Sequence, residues 1–240
     1  MKGGVQGVSR ITRKRTMTSR QLRTSTFDRR TLLKGGAALA ASAALTKSSA
    51  RAAEKSTNAV DRMLQEMTLP EKIGQMFVIQ AADAVMPSWF ASSLQTVQPG
   101  GVLFVQPNIG SPDQISSYIA AIHASGKHVS PFVGVDQEGG PVTRVPGDPV
   151  PGALSMAALP DPHVQKLARE RAKFLTGFGF NANFAPVADV AYSAQSTMAW
   201  RAFGRNPKSV AAKIAAVVEG TRDGGIASGA KHFPGHGRTA

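Results

Sequence analysis

Short, continuous apolar runs alternate with stretches of helical periodicity along this chain, and no other feature limits its fold so strongly. The runs are GQMFVI at 74–79, GVLFV at 101–105, PFVGV at 131–135, a shorter one at 181–184, and 227–231. Between them, helices are expected over 58–67, 88–97, 112–125, 162–178 and 209–223, where apolar residues recur three and four apart. Strand-then-helix alternation with apolar strands implies a parallel sheet covered by helices. A long section rich in Gly and Pro, from 136 to 160, reads as irregular.

Two α/β architectures fit this pattern: an open doubly wound sheet, or a TIM-type (β/α)8 barrel of which about the first five β/α units are present. Asp136, the turn from Pro186 to Asp189, and Lys231-His232 all fall just past the C-terminal ends of expected strands. Barrel enzymes collect functional groups from several strand ends in this way, whereas an open sheet concentrates its site at one crossover. No Gly-x-Gly-x-x-Gly follows the first strand, so a dinucleotide site has no support. The barrel is the better reading.

The formal charge of +13 invites a nucleic-acid reading until it is divided by region. Of 28 Lys+Arg and 15 Asp+Glu, residues 1–52 hold 12 and one, and residues 53–240 the remaining 16 and 14. The basic excess lies in the leader, and no nucleic-acid partner is expected for the near-neutral remainder. The leader places Arg29-Arg30 before an apolar stretch at 35–45, followed by Ala50-Arg51-Ala52. That order resembles a twin-arginine signal with a small-x-small cleavage site, which implies export by that machinery to the periplasm or beyond. The stretch is too short for the ~20 apolar residues that span a bilayer, so no stable membrane anchor is expected. The expected division is therefore a signal peptide over 1–52 and one domain over 53–240. The chain has no cysteine, which excludes disulfides, thiolate metal sites and a Cys nucleophile.

Three motifs carry polar chemistry. Asp136-Gln137-Glu138-Gly139-Gly140 pairs two carboxylates with glycines that let the chain turn close to a ligand. Paired carboxylates serve acid/base chemistry or hydroxyl recognition. Arg201 sits in Trp200-Arg201-Ala202-Phe203-Gly204, where aromatics can hold a guanidinium or stack on a sugar. Lys231-His232-Phe233-Pro234-Gly235-His236 holds two histidines four apart, but Pro234 and Gly235 oppose the helix that would let them share a metal. A cationic, hydrogen-bonding cluster for a polar ligand is the better reading, with no metal and no cofactor.

Taken in order, Val133 to Gly140, Asn183-Phe184-Ala185-Pro186-Val187-Ala188-Asp189, Arg201-Ala202-Phe203-Gly204 and Lys231 to Gly237 resemble the motifs of family 3 glycoside hydrolases, most closely the bacterial β-N-acetylhexosaminidases. The resemblance implies a barrel that hydrolyses terminal β-linked N-acetylglucosamine with retention, a carbohydrate partner, and use in cell-wall turnover. It assigns substrate binding to Asp136, Arg144, Arg201, Lys231 and His232. The family's nucleophile and its Asp-His acid/base dyad are expected beyond Ala240, so no catalytic residue is assigned and the fragment alone is expected to be inactive. The alternatives are a β-glucosidase of the same family and a sugar-binding protein without the chemistry. Two departures from the family pattern stand out: Arg238 where aspartate is usual, and Pro141 where arginine is common.

Overall fold

A computed structural model of the chain describes residues 59–239. The leader, with its expected signal and cleavage site, lies outside the described residues. The order of elements is α1 (59–66), α2 (Leu69–Gly74), β1 (Val78–Gln80), α3 (Ser88–Val97), β2 (Gly101–Phe104), α4 (Pro112–Ala124), β3 (Phe132–Val135), α5 (Ala153–Met156), α6 (Asp161–Thr176), β4 (Ala182–Asn183), α7 (Pro207–Asp223) and β5 (Ala227–Ser228).

The strands form one sheet in the order β1-β2-β3-β4-β5, each parallel to its neighbour. A doubly wound sheet must reverse its strand order at a switch point; this sheet never does, so it follows the course of a (β/α) barrel.

Register explains which face is covered. Val102 lies opposite Val133, and Phe104 opposite Val135, and all four are fully buried. They pack with Phe90 and Leu94 of α3, with Ile115, Tyr118, Ile119 and Ile122 of α4, and with Leu175 and Phe180. Adjacent residues point the other way. Val78 and Phe132, both opposite Gly101, are therefore more than half exposed. A second core joins α5, α6 and α7 through Met156, Val164, Ala168, Val210 and Val217, with Phe203 from the preceding loop.

Local chemistry sets the helix starts. Ser111 accepts from the Gln114 N–H at 3.3 Å ahead of Pro112. Asn206 accepts from Lys208 and Ser209, and Pro207 begins α7 two residues before the expected start.

Three expectations are corrected. The run at 74–79 is not a strand from its first residue: Leu69–Gly74 is helical and β1 begins at Val78. Thr68 and Glu71 form a capping box, with the Thr68 N–H donating to Glu71 Oε2 at 2.9 Å and Thr68 Oγ1 accepting from the Glu71 N–H. The Thr68 N–H, and then its hydroxyl, which donates to the same Oε2 at 2.8 Å, hold the Glu71 carboxyl down to about 2. The irregular section contains the single turn α5. The fifth strand stops at Ser228, and the chain pairs again only at a bridge between Val187 and Lys231. There Lys231 N–H donates to Pro186 O at 3.0 Å.

Candidate substrate-binding site

Asp136 is the first residue after β3, and alternation decides where its neighbours point. Gln137 is fully buried on the helix side. Its amide donates to Val145 O and Asp148 Oδ2, and its Oε1 accepts from the backbone of Arg144 and Val145, both at 2.9 Å. With Gln137 turned to the helices, Asp136 and Glu138 are delivered together to the strand ends. Gly139 and Gly140 then take φ of 81° and 59°, which only glycine adopts without strain, and the loop folds back.

Glu138 is the hub of an ion cluster built from three strand-end loops. Its Oε1 lies 2.7 Å from Lys231 Nζ and 2.7 Å from Arg201 Nη2, while Arg201 Nε donates to Oε2 at 2.9 Å. Lys231 also contacts Asp136 Oδ1 at 2.5 Å. Burial pushes the Glu138 carboxyl up, but the hydrogen bonds and charges of Arg201 and Lys231 outweigh it and hold the group below its ordinary value. The Arg201 guanidinium is pushed up in turn, first by its hydrogen bond to Glu138. Glu138 is nearly buried, whereas Asp136, Lys231 and Arg201 keep about a fifth of their side chains open. Two carboxylates and two long cations with exposed edges form a balanced set of acceptors and donors. Such a set can bind a polyhydroxylated ring.

Asp189, in the loop after β4, organises the opposite flank. His232 donates its backbone N–H to Asp189 Oδ2 at 3.1 Å, and its Nδ1 lies 2.6 Å from the same oxygen. Oδ1 accepts from the His236 N–H. Burial raises the Asp189 carboxyl, and the His232 and His236 hydrogen bonds overcome it, so the group is held low. The rings of His232 and His236 meet edge to face, 4.6 Å between centroids. Asp189, Tyr192, His232, Pro234 and Arg238 line a cavity of about 290 Å³. Arg238 lies 4.7 Å over the Tyr192 ring, so the departure at this position joins the 192 and 237 loops by a cation–π contact.

Beneath the cluster, Arg171 of α6 holds the loop that carries Glu138. Its Nε donates to Asp148 Oδ2 at 2.7 Å, and its Nη atoms donate to the carbonyls of Glu138, Val150 and Pro151. Arg171 keeps the apolar period of its helix in sequence, and an arginine on a buried face is the signal that a polar network lies under that face.

Four of the five expected binding residues, Asp136, Arg201, Lys231 and His232, are thus gathered at one end of the sheet. Arg144 is the exception. Its backbone serves Gln137, and its side chain makes no hydrogen bond or ion pair to the other four among the described residues, with Nε buried and unpartnered. The sequence presents Glu138 only as one of two paired carboxylates, and Asp189 only as the end of a turn past a strand. Glu138 was legible two residues after Asp136, on the same side of an extended chain. Asp189 has no comparable signal, because its partners are 43 and 47 residues away. Among the described residues no group of three or more His, Asp or Glu could hold a metal ion.

Known proteins resemble this chain in sequence and fold. A β-hexosaminidase of Thiobacillus denitrificans is 38% identical over 147 residues, 58% of this chain and 41% of that protein. The β-hexosaminidase LpqI of Mycobacterium tuberculosis is 34% identical over 176 residues, 70% of this chain and 43% of that protein. Among solved structures, a family 3 β-N-acetylglucosaminidase from Paenibacillus superposes with a TM-score of 0.67 at 28% identity, covering 71% of this chain and 34% of that one. NagZ from Neisseria gonorrhoeae, bound to N-trifluoroacetyl-D-glucosamine, gives a TM-score of 0.62 at 26% identity, covering 67% and 50%. The chain spans about two fifths of the length of the curated relatives it matches. The model of the glycosyl hydrolase family 3 N-terminal domain matches residues 68–240, and the chain belongs to that family.

Proposed function

We propose that this chain carries the sugar-binding part of an exported β-N-acetylhexosaminidase that removes terminal β-linked N-acetylglucosamine with retention of configuration. The observation that carries the reading is the cluster in which Asp136, Glu138, Arg201 and Lys231 meet at the strand ends. A neutral, oxygen-rich ring can replace these internal ion pairs with hydrogen bonds to the same atoms; an isolated charge would leave one of them unpaired. Relatives named β-hexosaminidase support the N-acetylated sugar. The reading assigns binding to Asp136, Arg201, Lys231 and His232, with Arg144 as an added contact once substrate is present, and Glu138 as their anchor. Nucleophile and acid/base are not assigned among the described residues. Arg29-Arg30, the apolar stretch at 35–45 and Ala50-Arg51-Ala52 support export through the twin-arginine route.

The test is hydrolysis by the protein expressed from its own gene. Chromogenic β-N-acetylglucosaminide is expected to turn over faster than the matching β-glucoside. Lys231→Ala is expected to raise KM or abolish turnover. Preference for the glucoside moves the protein to β-glucosidase activity; sugar binding without turnover of either leaves a binding protein.

A further inference from the structure

We propose that Asp189 is a positioning residue that fixes His232 as a hydrogen-bond acceptor, so that Lys231 and His232 present one donor and one acceptor to the same ligand. The Asp189 side chain is 1% exposed, and its oxygens are surrounded by donors: the His232 and His236 backbone N–H groups and His232 Nδ1. An ionised carboxylate only accepts, so the proton of a neutral imidazole must sit on Nδ1, leaving a lone pair on Nε2. Nε2 makes no hydrogen bond among the described residues, and the side chain is 26% exposed beside the cavity that Asp189 and Pro234 also line. The ring is also prevented from turning over. Its own backbone N–H is bound to the oxygen that Nδ1 faces, and the His236 ring closes on it at 89°.

This assignment rests on the reading of Lys231 and His232 as ligand contacts, and it adds the polarity of each. Lysine can only donate and, in this tautomer, the open Nε2 of His232 can only accept. A hydroxyl can satisfy either atom, and a ring with adjacent hydroxyls can satisfy both at once. A role for Asp189 as a plain tie between loops needs no particular tautomer.

The experiment is nitrogen-15 NMR of histidine-labelled protein expressed from its own gene, above the ordinary imidazole pKa at about pH 8.5. A His232→Gln variant assigns the resonances. The expected spectrum shows His232 with protonated Nδ1 and bare Nε2, and N-acetylglucosamine shifts the Nε2 signal towards its hydrogen-bonded position. In Asp189→Ala the Nε2–H tautomer is expected to appear, with affinity for N-acetylglucosamine down about 10-fold. A proton on Nε2 in the unaltered protein overturns the proposal, and so does an unchanged tautomer in Asp189→Ala. The spectrum of the unaltered protein decides if that variant does not fold. The expected tautomer with no sugar binding overturns the sugar reading and upholds the positioning role.

Discussion

Glu138 Oε1 stands 2.7 Å from Lys231 Nζ and 2.7 Å from Arg201 Nη2, so one nearly buried oxygen joins residues 93 positions apart in the chain to a third between them. The carboxylate lies under the two cations and keeps them from repelling each other. Glu138→Gln retains the shape and removes the charge. It is expected to lower stability by about 2 kcal/mol, below the roughly 3–5 kcal/mol of a fully buried broken pair because both cations are partly exposed. Sugar affinity is expected to fall with it. Chemical denaturation and a binding titration on the same sample check both.

Acid sensitivity of the site follows from its two carboxyls held low. Glu138 and Asp189 each bind a proton less readily folded than unfolded. Their stabilising contribution is therefore complete above the unfolded value of about 4 and is lost as pH falls through the depressed folded values. The melting temperature is expected to decline below about pH 4.5, and less steeply in Glu138→Gln, which removes one of the two groups. Thermal melts across pH 3 to 7 check the slope; an equal slope in both proteins counts against the assignment.

Arg171→Ala is expected to cost more stability than any change at the cluster's rim, about 3–5 kcal/mol, because Asp148, 1% exposed, is left buried beside the carbonyls of Glu138, Val150 and Pro151. Arg171→Lys keeps the charge but cannot reach these acceptors together, and is expected to fall between the two. Denaturation midpoints for the three proteins check the order.

Gly220 marks where α7 crosses α6. A Cβ there would lie 2.1 Å from Gln165 O and 2.9 Å from Ala168 Cβ. In an exposed helix, Gly→Ala gains about 1 kcal/mol. Here the contact with a backbone carbonyl reverses the sign, and Gly220→Ala is expected to destabilise by about 1–3 kcal/mol. Unfolding free energies of the two proteins decide the sign.

The parts of this protein that were legible in its sequence are those that depend on neighbours along the chain. Alternating apolar runs and helical periods specify a parallel α/β sheet, since burial of one face repeats every two or about four residues. Motifs placed just past the runs at 131–135 and 181–184 put Asp136 and Asp189 at strand ends for the same reason. The helix Leu69–Gly74, opened by the capping box at Thr68 and Glu71, lay outside that pattern, because the apolar run at 74–79 reads as strand from its first residue.

Tertiary structure alone decided how the polar residues are paired. Arg144 and Arg171 are both arginines near the Asp136 loop in space or sequence, but one donates its backbone to Gln137 while the other clamps four groups beneath Glu138. Asp189 is an ordinary acidic turn residue until His232 and His236 close on it from the next loop. Ion pairs and hydrogen bonds form within about 3 Å whatever the separation along the chain, so no local pattern records them. The order of residues along the chain sets the alternation and which residues stand at the strand ends. The closing of the sheet's loops upon one another decided which of those residues share a hydrogen bond or a charge.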